Sequence, residues 1–263
     1  MSQSTQPVGF FDSGVGGTSI WKEVVRLLPG EDTVYLADSK NAPYGNRSKQ
    51  EIIDLSVKNT EFLLGRNCKV IVIPCNTATT NAISYLRNHY QVPFIGIEPA
   101  IKPAALFSTS KKIGVLATRG TLSSALFNAT QQQYAHHINM IEVTGTGIVE
   151  LIEEGKTDSP AMTDLLTRLV EPFMISGIDY LVLGCSHYPY IKHHLEALLP
   201  NKVRIIDSGE AVARQVLKIL QDLELLNTSS KSGYHQLFSN LDTRVLFDLT
   251  AGVNNRSVSP LDF

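Results

Sequence analysis

Two short apolar runs, Val70-Ile71-Val72-Ile73 and Tyr180-Leu181-Val182-Leu183, each reach a cysteine two residues after their last apolar side chain, at Cys75 and Cys185. Such runs, rich in branched residues and bounded by turn formers, mark strands buried on both faces of a parallel sheet. Parallel neighbours require long crossovers, so the intervening sequence must supply helices. The rest of the chain agrees. Further strands are predicted over Val8 to Phe11, Thr33 to Ala37, Pro93 to Ile97, Lys112 to Ala117, Ile138 to Val143 and Arg204 to Ile206, with the two cysteine strands at Lys69 to Pro74 and Tyr180 to Gly184. Helical spacing fills most gaps, about Ser19 to Leu28, Thr80 to Tyr90, Leu122 to Tyr134, Ala161 to Ser176 and Glu210 to Leu223. Another helix starts near Ser48, where Ser48-Lys49-Gln50-Glu51 has the capping-box pattern. This alternation predicts an α/β protein.

The chain also echoes itself. Gly9-Phe10-Phe11-Asp12-Ser13-Gly14 resembles Gly114-Val115-Leu116-Ala117-Thr118-Arg119 in layout, at nearly the spacing that separates the two cysteines. A repeat of that kind predicts two pseudo-symmetric open parallel-sheet lobes with the active site in the cleft between them. The first lobe is expected to comprise residues 1–97 and 208–263, and the second residues 98–207. Gly96-Ile97-Glu98-Pro99 is the expected crossover and Asp207-Ser208-Gly209 the return. Beyond Asn227 the chain turns polar, which predicts a loop over Asn227 to Ser232 and a frayed tail over Val253 to Phe263.

Charge narrows the function. Only 18% of the 263 residues are charged, the net charge is -2, and the basic residues are scattered, so no nucleic-acid footprint exists. The segment Met1 to Pro7 has no leader-like character, and no stretch approaches a membrane span. The expectation is a cytoplasmic protein acting on a small polar molecule. Three cysteines do not make a disulfide framework in such a compartment. Cys68, with no polar company suited to chemistry, reads as a small buried hydrophobe.

The candidate site residues gather at strand ends, where open α/β sheets place their ligands. Phe11-Asp12-Ser13-Gly14-Val15-Gly16-Gly17-Thr18 is a strand followed by a glycine-rich turn and a helix. It lacks the spacing and the lysine of a phosphate loop. Its glycines suit close approach to a small anion such as a carboxylate, and Asp12 reads either as a helix cap or as a charged partner of the site. Ala37-Asp38-Ser39-Lys40-Asn41-Ala42-Pro43-Tyr44-Gly45 reads as a turn at another strand end. Cys75-Asn76-Thr77 offers a thiol with amide and hydroxyl groups, and Cys185-Ser186-His187 a thiol, a hydroxyl and an imidazole. A free thiol ionises near pH 8.5, so each needs local help to act as a base. Zinc ligation is disfavoured because no paired Cys-x-x-Cys or His-x-x-x-His spacing occurs. Acyl transfer with Cys185 as nucleophile and His187 as base is a competing scheme, but it leaves Cys75 without a task.

Asp12-Ser13-Gly14-Val15-Gly16-Gly17, Pro43-Tyr44-Gly45, Cys75-Asn76-Thr77-Ala78 and Gly184-Cys185-Ser186-His187-Tyr188-Pro189 resemble, in order and spacing, the motifs of the glutamate racemase family, within the wider aspartate/glutamate racemases. The resemblance runs from about Val8 to Leu223, and Ala117-Thr118-Arg119-Gly120-Thr121 is similar to that family's threonine-containing loop. It implies cofactor-independent interconversion of L- and D-glutamate for peptidoglycan synthesis, without metal, in a homodimer. It implies two bases: one cysteine as thiolate removes the α-proton while the other returns a proton to the opposite face. By this resemblance Cys75 acts on D-glutamate and Cys185 on L-glutamate, with Asp12 and His187 assisting the neighbouring thiols. Ser13, Pro43, Tyr44, Gly45, Asn76, Thr77, Thr118, Thr121 and Ser186 match substrate-contacting positions. Glu153 is the best match for a further family glutamate, with Glu150 and Glu154 close in register. His187 favours glutamate over the alternative of aspartate or another two-thiol isomerisation.

Overall fold

A computed structural model describes residues 3–135 and 137–263; Met1 and Ser2, which open the segment read above as no leader, lie outside the described residues. In chain order the regular elements are β1 (Val8–Asp12), α1 (Thr18–Leu27), β2 (Thr33–Ala37), α2 (Lys49–Gly65), β3 (Val70–Ile73), α3 (Asn76–His89), β4 (Phe94–Gly96) and α4 (Ile101–Phe107). There follow β5 (Lys112–Ala117), α5 (Arg119–Leu122), α6 (Ala125–Tyr134), β6 (Asn139–Thr144), α7 (Ile148–Glu153), α8 (Pro160–Ser176) and β7 (Tyr180–Gly184). The chain closes with α9 (Lys192–Leu198), β8 (Arg204–Ile206), α10 (Gly209–Asp222), β9 (His235–Ser239), α11 (Arg244–Leu249) and β10 (Arg256–Pro260).

These strands form two parallel sheets, ordered β10-β9-β2-β1-β3-β4 and β6-β5-β7-β8. Without its two added edge strands, the first order maps onto the second: β1 corresponds to β5, β2 to β6, β3 to β7 and β4 to β8. The expected repeat is therefore a repeat of topology. In each sheet the direction of winding reverses between two central strands, β1 and β3 in one and β5 and β7 in the other, and ligands gather at the carboxyl ends of such a switch. Cys75 follows β3 and Cys185 follows β7, so the two thiols hold equivalent positions.

Burial explains why the central strands read so clearly. Every residue of β1, β2, β3 and β7 is buried, as continuous apolar runs demand. The connections between the sheets run side by side, with the Ser208 hydroxyl donating to the Glu98 carbonyl at 2.5 Å. α10 then packs against α1. At the start of α2 the Ser48 and Glu51 side chains form the expected capping box, an arrangement worth about 1 kcal/mol.

Four departures from the sequence reading have local causes. The tail is not frayed: β9 pairs with β2, and β10 with β9, extending the first sheet. β9 buries polar groups that are matched, as where Thr33 Oγ1 lies 3.0 Å from His235 Nδ1, β10 is an edge strand with no fully buried residue, and Phe263 packs on Phe62 with ring centroids 5.6 Å apart. α3 begins at Asn76 rather than Thr80, because Cys75 itself caps it: the Ala78 amide donates to Cys75 Sγ at 3.4 Å. The helix expected from Leu122 divides into α5 and α6, each with its own cap, Thr118 and Ser124. Finally, α4, α7, α9 and α11, of six or seven residues each, are too short to display a helical period.

Candidate active site

The carboxyl ends of both sheets meet at one small cavity. Ser13, Pro43, Tyr44, Gly45, Cys75, Asn76, Thr77, Thr118, Cys185, Ser186 and His187, all singled out in the sequence, line it together with Val149. About 10 Å³ is open to the centre of a water-sized sphere, room for about one water molecule. An adjoining recess shares Pro43, Gly45, Thr118 and Val149 and adds Asn46, Arg119, Gly145 and Glu150. Of the expected residues, Asp12, Glu153 and Thr121 stand behind the lining rather than in it.

Asp12 is not a helix cap. α1 has Gly17 at its cap position without a side-chain bond, while the Asp12 carboxylate accepts from the Gly14 amide at 3.0 Å, from Ser13 Oγ at 3.4 Å and from Ser186 Oγ at 2.8 Å. The last bond crosses between the sheets. Burial raises the Asp12 pKa, and the charge of His187 together with the Ser186 and Gly14 bonds holds that rise in check.

Cys75 and Cys185 are both buried, yet their surroundings differ. The Cys75 thiol donates to Ser13 Oγ at 3.7 Å. Burial first, and then the Asp12 charge, push its pKa well above the usual thiol range, against the Ala78 amide and the Ser13 hydroxyl. It stands as a thiol. Cys185 Sγ instead lies 3.7 Å from His187 Nδ1. Burial alone would lower the imidazole's pKa, but its contacts with Cys185 and Glu153 outweigh that and leave it well above the ordinary value.

Of the three glutamates close in register, one stands beside His187. Glu153 Oε1 lies 2.5 Å from His187 Nε2, whereas Glu150 lines the outer recess and Glu154 pairs with Lys156 at 2.6 Å on the surface. The glycine-rich turn serves this same carboxylate: the Val15 amide donates to Oε1 at 2.7 Å. A Cβ on Gly14 would overlap Glu153, and one on Gly16 would overlap His187. The small anion that the turn was expected to approach is thus a side chain of the protein. Ser39, which the sequence reading passed over, donates to the other oxygen, Oε2, at 2.8 Å. Its signal was present: Asp38-Ser39 repeats Asp12-Ser13 at the end of the neighbouring strand. The segment containing it is no surface turn, since Asp38 is fully buried and accepts from the Tyr44 hydroxyl at 2.5 Å.

Hydroxyl groups close the remaining side. Thr77 Oγ1 lies 2.8 Å from Thr118 Oγ1 and 3.3 Å from Thr121 Oγ1, joining the start of α3 to the loop after β5. Among the described residues, the buried Asn76 amide makes no hydrogen bond within the protein through either its nitrogen or its oxygen. A buried amide without a protein partner, in the wall of a cavity, is a place for a polar ligand. Cys68 lies elsewhere, beneath Gly9, and burial lifts its pKa to about 12.

Two thiols with different assistants, one cavity and a ring of polar donors are a constellation for moving a proton on a small acid. In comparison with known proteins, residues 13–216 match the family described as Asp/Glu/Hydantoin racemase. The chain belongs to that family. It is similar to the glutamate racemase of Ectopseudomonas mendocina, with 48% identity over 229 residues that cover 87% of each chain. Crystal structures of the Escherichia coli glutamate racemase, in complex with L-glutamate and the activator UDP-MurNAc-ala, and of the Francisella tularensis enzyme with D-glutamate superpose with TM-scores of 0.85 and 0.84. The first is 29% identical and covers 97% of this chain and 98% of its own; the second is 26% identical and covers 98% of each. This member of the racemase family is therefore an enzyme of that class with the two-sheet fold of those structures, and among its described residues no helix is long and apolar enough to cross a membrane.

Proposed function

We propose that this racemase interconverts L- and D-glutamate by a two-base mechanism in which Cys75 and Cys185 work on opposite faces of Cα, supplying D-glutamate for peptidoglycan. The observation that carries the proposal is the equivalence of the two thiols: each follows the third strand of its own sheet, and both line one cavity. In the direction from L-glutamate, Cys185 as thiolate, paired with the His187 imidazolium, takes the α-proton. Cys75, held as a thiol, returns one to the other face. In reverse, Cys75 must lose its proton, and the route available runs from its thiol to Ser13 Oγ and on to Asp12 Oδ1.

A general acid or base so placed contributes about 10² to 10⁴ in rate, and donors preorganised around the carboxylate stabilise the carbanion. Asn76, Thr77, Thr118, Thr121 and Ser186 are assigned to hold the substrate, with Ser13 and the Pro43-Tyr44-Gly45 segment. The closed cavity is smaller than an amino acid, so substrate must enter through separation of the two sheets' facing edges. That movement breaks the Ser39–Glu153, Val15–Glu153, Ser186–Asp12 and Thr77–Thr118 bonds. We place the moving lobes at residues 1–97 with 208–263 and at 98–207, in a cytoplasmic homodimer that needs no cofactor or metal for turnover.

The test is circular dichroism of L-glutamate and of D-glutamate incubated separately with enzyme, reductant and EDTA. Decay of both signals to zero supports the proposal. If glutamate is inert and aspartate racemises, the substrate assignment is wrong; if neither moves, so is the mechanism.

A further inference from the structure

Apart from the active site, the described residues bring one set of metal-ligating side chains together: Asp158, His193 and His194, whose ligand atoms all lie within 4.8 Å of one another. His193 Nε2 is 3.1 Å and His194 Nε2 3.0 Å from the same oxygen, Asp158 Oδ1. Consecutive residues of a helix point roughly 100° apart, so neighbouring histidines ordinarily face different surroundings. Here both rings turn to one carboxylate, with centroids 4.0 Å apart. Exposed pairs of this kind are worth about 0–1 kcal/mol at most, so stability alone gives little reason for the convergence.

We propose that Asp158, His193 and His194 form a surface site for a borderline divalent cation, Zn²⁺ or its first-row neighbours Co²⁺, Ni²⁺ and Cu²⁺. Two imidazoles and a carboxylate suit these ions rather than Mg²⁺ or Ca²⁺. Bonds of ~2.1 Å to one ion place adjacent ligand atoms ~3.0 to 3.4 Å apart, which the Asp158 contacts already match. Each imidazole binds as its neutral Nδ1–H tautomer, with the Nε2 lone pair on the ion and any second ring proton released to water, and water completes the coordination.

The location gives the site a mechanical meaning. Asp158 lies in the turn that follows Glu153 and leads into α8, and both histidines lie on α9, just after the segment that begins with His187. A bound ion ties together the outer ends of the two segments whose inner ends make the Glu153–His187 contact.

The test is titration of the untagged, metal-free enzyme with Co²⁺ and with Zn²⁺, followed by calorimetry and absorption, for wild type and the variants Asp158→Asn, His193→Gln and His194→Gln. The expected result is one ion bound with micromolar affinity, without a thiolate-to-cobalt charge-transfer band, and weakened at least about tenfold by each substitution. Zn²⁺ should also raise the melting temperature of wild type but not of His194→Gln, while racemisation by that variant without metal stays at the wild-type rate. Affinity unchanged by the substitutions, a thiolate band, or binding only at millimolar metal would each overturn the proposal.

Discussion

Replacing Glu153 with glutamine keeps the shape of the side chain and removes its charge, so it isolates what the carboxylate does for His187. Glu153 accepts from His187 Nε2, from the Val15 amide and from the Ser39 hydroxyl at 2.5, 2.7 and 2.8 Å. Hydrogen bonds to a charged group contribute about 1.5–3 kcal/mol against about 0.5–1.5 for neutral pairs. The amide can still accept from His187 or Val15, and Ser39 can turn to accept from its NH₂. The net loss is therefore about 1–3 kcal/mol, equivalent to about 5- to 150-fold in rate. Enantiomers have equal free energies in water, so kcat/KM must fall by the same factor for L- and D-glutamate. The pH dependence gives the sharper readout. His187 is held well above the ordinary imidazole range partly by Glu153, so in Glu153→Gln it loses its proton at lower pH and the alkaline limb of the rate profile moves toward acid. The same change acts on stability. A histidine whose pKa is raised on folding stabilises the fold fully below about pH 6.5 and loses that contribution as pH rises through its folded value, so the variant should lose most stability at low pH. Circular dichroism of both enantiomers from acid to alkaline pH decides the matter. An unchanged profile with unchanged kcat/KM would refute the role given to this carboxylate.

Gly14→Ala should behave like Glu153→Gln, because the new methyl group displaces the carboxylate from the turn; a wild-type rate would show that the turn does not position Glu153. Asn76→Ala removes an amide that has no partner within the protein, so KM for both enantiomers should rise several-fold while the urea midpoint does not fall, and a fall in midpoint with KM unchanged would give Asn76 a structural role instead. Lys69→Met strips the partner from Glu31 in an ion pair of 2.6 Å whose side chains are 1% and 2% exposed. A loss of about 3–5 kcal/mol in urea unfolding is expected, and a loss under about 1 kcal/mol would mean that Glu31 is adequately served by the Asn227 amide.

The parts of the molecule that were legible in the sequence are those where one physical effect dominates. Strands buried on both faces, such as Val70–Ile73 and Tyr180–Gly184, must be apolar throughout and read without ambiguity. Residues 235–260 did not, because β9 carries polar side chains that are satisfied only once the sheet is formed, as with His235 and Thr33, and β10, an edge strand, has no buried apolar face to announce it. Within the site, the thiols and His187 announced themselves by chemical type. Ser39 did not, since a serine in a turn is unremarkable until Glu153 arrives from 114 residues away. The glycine-rich turn was half legible: the need for close approach was visible in Gly14 and Gly16, but not that the approaching groups are Glu153 and His187. The four short helices, α4, α7, α9 and α11, had no room for a period, and only packing places them.

The central claim, that two thiols act on opposite faces of one carbon, is tested most directly by starting from L-glutamate in deuterium oxide and following Cα by proton NMR alongside circular dichroism. At early conversion the account predicts that D-glutamate carries deuterium at Cα while the remaining L-glutamate stays protiated, because the proton leaves to Cys185 and a deuteron arrives from Cys75. Deuterium entering the L-glutamate pool as fast as product forms, or product that retains the original proton, would contradict it.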